Sequence, residues 1–377
     1  MEYDYIFSGF GLAAMLLLDE LIDTGLADAK KILIIEKYEI PTEKTWCYWE
    51  NSTGKYDSIL EHSWRKGFFT DEKKSTECLG GRFIYKCISS EKLREYIDKK
   101  IERFPLIVRQ NDELVSLFDD GNSVSVVTTS GTFQADFVFN SVVPKIPTDD
   151  SRNPLLLQHF EGWFVKSKQL PFTADAITIM DFSVKQMSQT RFMYVLPFSN
   201  SEALVEFTLF SPELLREDEY EIEIRRYLSQ KGISDFEIAK KETGVIPMTT
   251  YPFHKHNSKN VLNIGTAGGW TKASTGYTFV HALKNVKKVA SELKTANPNF
   301  SRFHKTNRFT FYDRIFNHVL FYNNELGKQI FSRLFTKTDP VSVLRFLNEE
   351  STILEELKII LACPKKPFLK SFFKTLF

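Results

Sequence analysis

The chain of 377 residues is long enough for two domains or for one elaborate α/β domain. Its 49 basic and 48 acidic side chains nearly cancel, so the composition gives no reason to expect nucleic-acid binding. The four cysteines lack zinc-ligand spacing and no apolar run reaches the roughly 20 residues of a membrane span. We therefore expect reduced thiols in a cytoplasmic compartment, no metal site and no transmembrane helix.

The chain opens with the pattern of a strand, a glycine turn and a helix. An apolar run at 3–7 leads into Gly9 and Gly11, and a G-x-G-x-x-A spacing ends at Ala14 before an uninterrupted apolar stretch. This spacing lets the backbone approach a pyrophosphate at a helix N-terminus, where free N–H groups and the helix dipole favour negative charge. FAD-binding folds commonly begin in this way.

A second apolar run, at 32–35, ends in Glu36. A carboxylate at this point is placed to accept hydrogen bonds from an adenosine ribose. The first 45 residues therefore predict a βαβ unit that binds a dinucleotide. The alternative is a tight turn whose glycines meet only steric needs.

The next hundred residues predict a mixture of short strands and one helix. Thr45–Trp49 is an aromatic cluster in a predicted loop, and Glu91–Arg103 is a predicted helix with Ser90 as its N-cap. The predicted strands lie at 82–88, 106–108, 114–118, 123–129 and 137–141. The turn Asp119–Asn122 joins two of them into a predicted hairpin, and such a β-insert is typical of FAD folds.

A second region follows, with predicted strands at 162–165, 176–180, 192–196 and 203–210. The last two flank a polar turn and should form an antiparallel hairpin. Ser211 is predicted to cap a helix that runs to about Gln230 and ends at Gly232. The chain then returns with a strand at 261–264, a second glycine turn, and a helix from about Tyr277 to Leu293.

Eight short segments, spread in order over nearly the whole chain, carry a resemblance to a known family. They are residues 4–14, 44–49, 62–64, 180–182, 191–199, 204–208, 246–248 and 265–279. The run from Gly265 to Tyr277 is the most specific, followed by Tyr194–Pro197. With these segments the sequence resembles the lycopene cyclases, flavin proteins of carotenoid synthesis. It departs from them at Phe10 and Ala14, where glycines are common, and at Phe207, where many relatives carry a second acid.

The resemblance implies an α/β fold with a Rossmann-like FAD-binding domain, of the type found in flavin hydroxylases and geranylgeranyl reductases. An antiparallel-sheet substrate domain and a helical C-terminal region complete it. The expected FAD-binding parts are residues 1–60, 106–150 and 246–295. The other expected parts are a mixed, partly substrate-facing segment at 61–105, the substrate domain at 151–245 and the helical region at 296–377.

The resemblance also implies an activity, namely lycopene β-cyclase. Such an enzyme closes the linear ends of lycopene into β-ionone rings, as an isomerase with no net redox change. It binds FAD, which NADPH must reduce, and it acts on linear carotenoids at a membrane surface, here the inner face of the cell membrane. The open alternatives are a flavin-dependent reductase or hydroxylase of an isoprenoid and a non-catalytic carotenoid-binding protein.

The same resemblance implies the cofactor site. Its expected residues belong to the two glycine turns, the strand end and the aromatic cluster: Gly9, Gly11, Ala14, Glu36, Trp46, Gly265, Thr266, Gly268, Gly269, Thr275 and Gly276. Backbone amides of the second turn would face the flavin phosphate and ribityl chain, and the helix N-terminus after Gly276 would favour an anionic reduced form. A plain glycine loop and a core aromatic cluster are the alternatives.

Ring closure requires a general acid in an apolar cavity, and Glu206 is the predicted acid. Period-two alternation puts Leu204, Glu206, Thr208 and Phe210 on one face of a strand. A carboxyl held in such surroundings has a raised pKa and keeps its proton available. On the residues alone an exposed glutamate is the favoured alternative, and the resemblance reverses that preference. Asp181 is a second candidate for proton handling, or else a turn aspartate.

The C-terminal tail combines phenylalanines with lysines, which can bind an anionic lipid surface. The aromatic residues are Phe368, Phe372, Phe373 and Phe377, and the lysines are Lys365, Lys366, Lys370 and Lys374. A terminal helix packed on the core with solvated lysines is the alternative.

Overall fold

A computed structural model describes residues 2–38, 42–72, 74–168, 170–304 and 306–376. The strands are β1 (Glu2–Ser8), β2 (Ile32–Glu36), β3 (Thr45–Glu50), β4 (His62–Trp64), β5 (Lys66–Thr70), β6 (Ser75–Glu77), β7 (Ile84–Ser89), β8 (Ile107–Asn111), β9 (Leu114–Asp119), β10 (Val124–Thr128), β11 (Thr132–Asn140), β12 (Leu156–Lys166), β13 (Ala176–Asp181), β14 (Thr190–Pro197), β15 (Glu202–Ser211), β16 (Glu237–Met248) and β17 (Val261–Asn263). The helices are α1 (Leu12–Asp23), α2 (Ser90–Ile101), α3 (Glu217–Gln230), α4 (Phe279–Leu293), α5 (Arg308–Tyr322), α6 (Gly327–Lys337), α7 (Pro340–Leu347), α8 (Ile353–Ala362) and α9 (Lys365–Leu376).

The first sheet has the strand order β8-β2-β1-β11-β10-β9, with β17 also paired to β11. β1 runs parallel to both β2 and β11, which forms the predicted βαβ unit with α1. The hairpin predicted around Asp119–Asn122 is confirmed, because β9 and β10 pair in antiparallel fashion. Alternate residues serve two cores: Phe7 and Ile34 pack with α1 and α4, while Ile6 and Leu33 pack on the opposite face.

The second sheet has the order β16-β12-β15-β14-β13-β5-β6. The antiparallel hairpin predicted for its centre is confirmed as β14 and β15. Along β15, Val205 and Phe207 are buried towards α3, whereas Leu204 and Phe210 face a core shared with the C-terminal helices. The side chain of Glu206 therefore lies on the same side as the C-terminal helices.

Two predicted boundaries and one predicted loop are wrong. The aromatic segment 45–49 is strand β3, since it pairs with β7 and buries Tyr48 and Trp49 in two different cores. The N-cap of α2 is Ser89, whose Oγ accepts a hydrogen bond from the Lys92 N–H at 3.2 Å.

The helix predicted from Ser211 begins only at Glu217. Ser211 is instead the last residue of β15, and its Oγ lies 2.6 Å from Nε2 of the buried His159. A serine followed by proline resembles a helix start, but strand pairing holds this one in the sheet.

Helices α5 to α9 cover the face of the second sheet that carries Glu206. Their core is rich in phenylalanine, and Phe335 stacks on Phe69 of β5 with ring centroids 4.8 Å apart. Among the described residues, every helix falls short of the length and apolarity that crossing a membrane requires.

A buried ion cluster ties these helices to the second glycine turn. Lys272, whose side chain is 1% exposed, lies 2.8 Å from an Asp313 carboxylate oxygen on α5 and 3.2 Å from one on Glu349. Its ammonium group also lies over the ring of Phe346, 5.8 Å from the centroid. Lys272 therefore neutralises carboxylates that burial would otherwise destabilise.

Replacement of this lysine should be costly. We expect Lys272→Met to lower the free energy of unfolding by about 3–5 kcal/mol, because it leaves the buried carboxylate of Asp313 unpaired. Chemical denaturation measures the loss. Lys37→Met is the control, since Lys37 pairs with Glu113 on the surface and should change stability little. Equal losses in the two variants would contradict the role of the cluster.

Candidate active site

A cavity of about 1110 Å³ lies between the two large sheets and the C-terminal helices. Its lining draws on both glycine turns, on the inner face of the second sheet and on α5 to α9. Apolar side chains dominate the lining, including Phe192, Phe210 and Phe316. A cavity of this size and character suits a large hydrophobic ligand with a few polar groups to orient it.

The first glycine turn contributes backbone rather than side chains. Gly9 has a φ of +85°, which favours glycine, and Gly11 precedes α1 without a side-chain cap. A Cβ added at Gly11 would meet no atom within 4 Å, so the space in front of the helix N-terminus is open. The hydroxyl groups of Ser8 and Ser141 are buried beside this turn, and neither has a hydrogen-bond partner in the part of the chain that the structure describes. Unpaired buried hydroxyls at a helix N-terminus fit a polar, anionic ligand.

Glu36 lies at the end of β2, where the sequence placed it. Its carboxylate accepts two hydrogen bonds from the Arg94 guanidinium, at 2.9 and 3.2 Å. Arg94 also donates to the carbonyl oxygen of Phe10 at 3.4 Å, which connects Glu36 to the first glycine turn. Bidentate pairing fixes the orientation of this carboxylate.

The second glycine turn is a short 3₁₀ helix, Gly265–Gly268. A Cβ added at Gly268 would lie 2.1 Å from the Asn263 carbonyl oxygen, so this glycine is needed for packing. Thr275 contributes to the cavity wall a buried hydroxyl that has no hydrogen-bond partner among the described residues. The turn therefore offers backbone to the cavity, and Thr275, which follows it in the chain, offers a hydroxyl.

The expected site residues divide into two groups. Those in the cavity lining are Gly11, Trp46, Glu206, Gly265, Thr266, Thr275 and Gly276. Those that the structure places outside the lining are Gly9, Ala14, Glu36, Asp181, Gly268 and Gly269.

Asp181 has a different environment from that expected of a proton donor. Its carboxylate accepts hydrogen bonds from the Tyr227 hydroxyl at 2.9 Å and from the Lys231 ammonium at 3.3 Å. Both partners belong to α3 or its C-terminal end, on the side of the sheet away from the cavity. These contacts hold α3 against the sheet, so the structure does not bring Asp181 together with Glu206.

Glu206 lies in the cavity wall on β15. The Thr208 hydroxyl donates to its carboxylate at 2.6 Å, and no lysine or arginine of the described residues ion-pairs with it. Burial raises the pKa of Glu206 to about 8, against the lowering effect of the Thr208 hydrogen bond and with a small contribution from Glu242. At neutral pH this carboxyl group is therefore mostly protonated.

A second carboxyl faces the same cavity, and the sequence analysis missed it. Glu242 on β16 and Glu206 on β15 are both register partners of Gly162, which lies on the strand between them. The Glu242 Oε1 accepts a hydrogen bond from the Thr45 N–H at 2.8 Å, while its buried Oε2 has no partner among the residues that the structure describes. Burial raises the pKa of Glu242. A Cβ at Gly162 would lie 2.8 Å from Leu204 Cδ1 and 3.3 Å from Glu206 Cβ, so glycine lets these side chains lie across the strand between the two carboxyls.

Three tyrosines form a hydroxyl cluster in the cavity wall, which we call the tyrosine cluster. The Tyr85 hydroxyl lies 2.8 Å from that of Tyr194 and 3.3 Å from that of Tyr277. Tyr194 is the register partner of Glu206 on the adjacent strand. Burial raises the pKa of Tyr277 and of its two neighbours, so all three hydroxyls are neutral. Tyr194 and Tyr277 lie in the two most specific sequence segments, which was the available signal for them.

Comparison with known proteins identifies a family. The family model described as "Lycopene cyclase protein" matches residues 4–372. A curated relative from Paracoccus sp. (strain N81106 / MBIC 01143), named lycopene beta-cyclase, is 29% identical over 117 residues. The aligned stretch is 30% of this chain and spans 30% of that relative's length.

Solved structures with the same architecture are far more distant in sequence. A geranylgeranyl bacteriochlorophyll reductase-like protein from Thermoplasma acidophilum matches with a TM-score of 0.62 at 12% identity, covering 99% of both chains. The halogenase PltM, solved in complex with FAD, matches with a TM-score of 0.58 at 12% identity, covering 97% of this chain and 87% of that one. These likenesses concern the fold alone. They confirm the predicted α/β fold of the flavin hydroxylase and geranylgeranyl reductase type.

Proposed function

Since the chain belongs to the lycopene cyclase family, we propose that it is a lycopene β-cyclase. In this proposal it closes the linear ψ-ends of lycopene into β-ionone rings, giving γ-carotene and β-carotene. The single observation that supports it best is Glu206, a carboxyl with a pKa raised to about 8 in the wall of an apolar cavity. An acid that stays protonated in apolar surroundings is what protonation of an alkene requires.

Glu206 donates the proton that starts ring closure. Its proton passes to a terminal alkene carbon, the tertiary cation that forms is attacked by the neighbouring double bond, and the resulting ring cation must lose a proton. The Thr208 hydroxyl, 2.6 Å from the Glu206 carboxylate, orients the acid and accommodates the charge left on it. The apolar lining keeps out water, which would otherwise trap the cation as an alcohol.

Glu242 is the proposed base for the last step. Its Oε2 is buried without a partner among the described residues, and the Thr45 N–H stabilises its ionised form through the other oxygen. Raised basicity suits a carboxylate that must remove a proton from a carbocation. The tyrosine cluster lies beside Glu206 and presents aromatic faces and neutral hydroxyls, which stabilise positive charge without reacting as strong nucleophiles.

The chain's residues fit FAD as the cofactor. The open N-terminus of α1 at Gly11 would hold the pyrophosphate, with the Ser8 and Ser141 hydroxyls as further partners. Glu36 would lie at the adenosine ribose, and Thr275 with Gly276 would lie at the flavin. Reduced FAD, with NADPH as reductant, would supply negative charge close to the developing cation. In this proposal residues 1–60, 106–150 and 246–295 bind FAD and 151–245 bind the carotenoid.

Replacing the acid tests the proposal directly. We expect Glu206→Gln to lower the rate of cyclisation by about 10²- to 10⁴-fold, the range for loss of a general acid, with FAD content unchanged. The assay supplies lycopene and reduced FAD to the purified protein and separates products by chromatography and mass. Cyclised product has the mass of lycopene, whereas a reductase or hydroxylase would raise the mass and a carrier protein would leave lycopene unchanged.

Glu202→Gln is the matched control, because Glu202 lies on the same strand but forms a surface ion pair with Lys166. It should cyclise at the normal rate. Near-normal cyclisation by the Glu206→Gln variant would remove Glu206 from the mechanism.

The rate should also depend on pH in a defined direction. The active forms are protonated Glu206 and ionised Glu242, so kcat/KM should fall about tenfold per pH unit above about pH 8 as Glu206 loses its proton, and should also fall at low pH as Glu242 gains one. Initial rates between pH 6 and pH 10 measure this. A rate that rises across pH 8 would contradict a carboxylic acid as the proton donor.

The second carboxyl gives an independent test. Glu242→Gln should slow cyclisation by about 10²-fold or more, because the ring cation then lacks its base, while carotenoid binding persists. Trapped products that carry a hydroxyl group would show that the first step still occurs. Unchanged turnover would show that the proton leaves to a different group.

A further inference from the structure

Helix α8 has an apolar face that points away from the protein. Ile353, Leu354, Leu357, Ile360 and Leu361 follow helical spacing on one side, and Leu354 and Leu361 are 72% and 67% exposed. The opposite side of the helix buries Ile359 and Ala362 in the core. A helix of a globular protein needs only the buried side, so the outer apolar face is unexplained by folding.

Helix α9 extends this face. Leu369, Phe373 and Leu376 are exposed at spacings of four and three residues, whereas Phe368 and Phe372 pack inwards against the core. The phenylalanines expected to contact lipid thus lie on two sides of α9, with Phe373 facing outwards and Phe368 and Phe372 facing the core. Phe377 lies outside the described residues. We call the outward residues of both helices the α8–α9 surface: Ile353, Leu354, Leu357, Ile360, Leu361, Leu369, Phe373 and Leu376.

The cavity opens on this surface. Ile360, Leu361 and Leu369 are exposed to solvent and also line the cavity that contains Glu206. These three apolar side chains therefore connect the α8–α9 surface to the lining that contains Glu206, and Lys365 lies in the lining beside them.

Glu355 and Glu356, in the first turn of α8, are paired with Arg345 and Arg308, and beyond them the charges along the surface are all positive. Residues 358–376 contain five lysines and no aspartate or glutamate, and all five lysines are exposed. They are Lys358, Lys365, Lys366, Lys370 and Lys374. Apolar side chains surrounded by lysines match the hydrocarbon and anionic headgroups of a lipid leaflet, and a second copy of this chain would bring the same positive charge.

We propose that the α8–α9 surface docks on an anionic lipid bilayer and that the opening at Ile360, Leu361 and Leu369 receives a hydrocarbon directly from the lipid. The identity of that hydrocarbon as a linear carotenoid rests on the proposed function, whereas docking does not. The opening solves a physical problem, since a long polyene has negligible solubility in water and must reach Glu206 without leaving an apolar environment.

Docking is tested with three substitutions that avoid the cavity lining. In the triple variant Ile353→Ser, Leu354→Ser and Leu357→Ser, we expect binding to phosphatidylcholine vesicles containing phosphatidylglycerol to weaken by about tenfold or more. The matched control replaces three equally exposed apolar residues elsewhere: Val115→Ser, Phe118→Ser and Met187→Ser. Co-sedimentation measures binding, and thermal unfolding confirms that each variant is folded.

The control should bind like the parent protein, and pure phosphatidylcholine should bind the parent more weakly. Equal binding by both triple variants would overturn the docking proposal. So would a parent protein that self-associates through this surface and ignores vesicles, as measured by sedimentation velocity.

The opening is tested with one pair of variants on α8. Leu361→Lys and Leu354→Lys add the same charge at similar exposure, but only Leu361 lines the cavity. We expect uptake of lycopene from loaded vesicles to be at least about tenfold slower in Leu361→Lys than in Leu354→Lys, because a charge in the opening must be desolvated. Equal uptake by the two variants would overturn the proposal that the hydrocarbon enters at this opening. Uptake is read from absorbance after the vesicles are removed, so failure of cyclisation would leave this result interpretable.

Discussion

A carboxyl group that faces an apolar cavity, with no cation of the described residues beside it, determines how this molecule works. In water Glu206 would be ionised at neutral pH, but the cavity withdraws the solvent that stabilises the charge and offers only one hydroxyl in return. The protein thus keeps an acid in its neutral form, at a cost in folding stability that grows as the pH rises towards 8. Two other features of the site support this condition, namely the mostly apolar lining and the neutral tyrosine hydroxyls.

The second sheet meets this condition by having two different faces. Alternate residues of β15 divide between α3 and the cavity, so the strand can bury Phe207 on one side and present Glu206 on the other. Gly162 pairs with Glu206 on one side and with Glu242 on the other, and its missing side chain makes room for Leu204 and the Glu206 stem, so both carboxyls reach the lining of one cavity. Lys272 then fixes α5 to the second glycine turn, which holds the C-terminal helices over the cavity. The fold brings a dinucleotide-type turn, an acid and a hydrophobic opening together at one cavity.

Local patterns predicted the parts of this arrangement that depend on neighbouring residues. The spacing of Gly9 and Gly11 predicted the βα turn, and alternation around Glu206 predicted the face on which it lies. The predicted start of α3 was wrong because Ser211 belongs to β15, whose pairing is set by strands distant in the sequence. Glu242 was missed for the same reason, since it meets Glu206 only through Gly162, 80 residues earlier in the chain. Asp181 was chosen for its position after an apolar run, but its partners Tyr227 and Lys231 lie about fifty residues further on.

The protonation state of one side chain tests the central claim most directly. Infrared difference spectra between the parent protein and the Glu206→Gln variant isolate the carboxyl stretch of Glu206 as the pH is varied. The account predicts a protonated carboxyl at pH 7 that ionises near pH 8. A carboxylate already ionised at pH 7, with a midpoint close to that of glutamate in water, would contradict it.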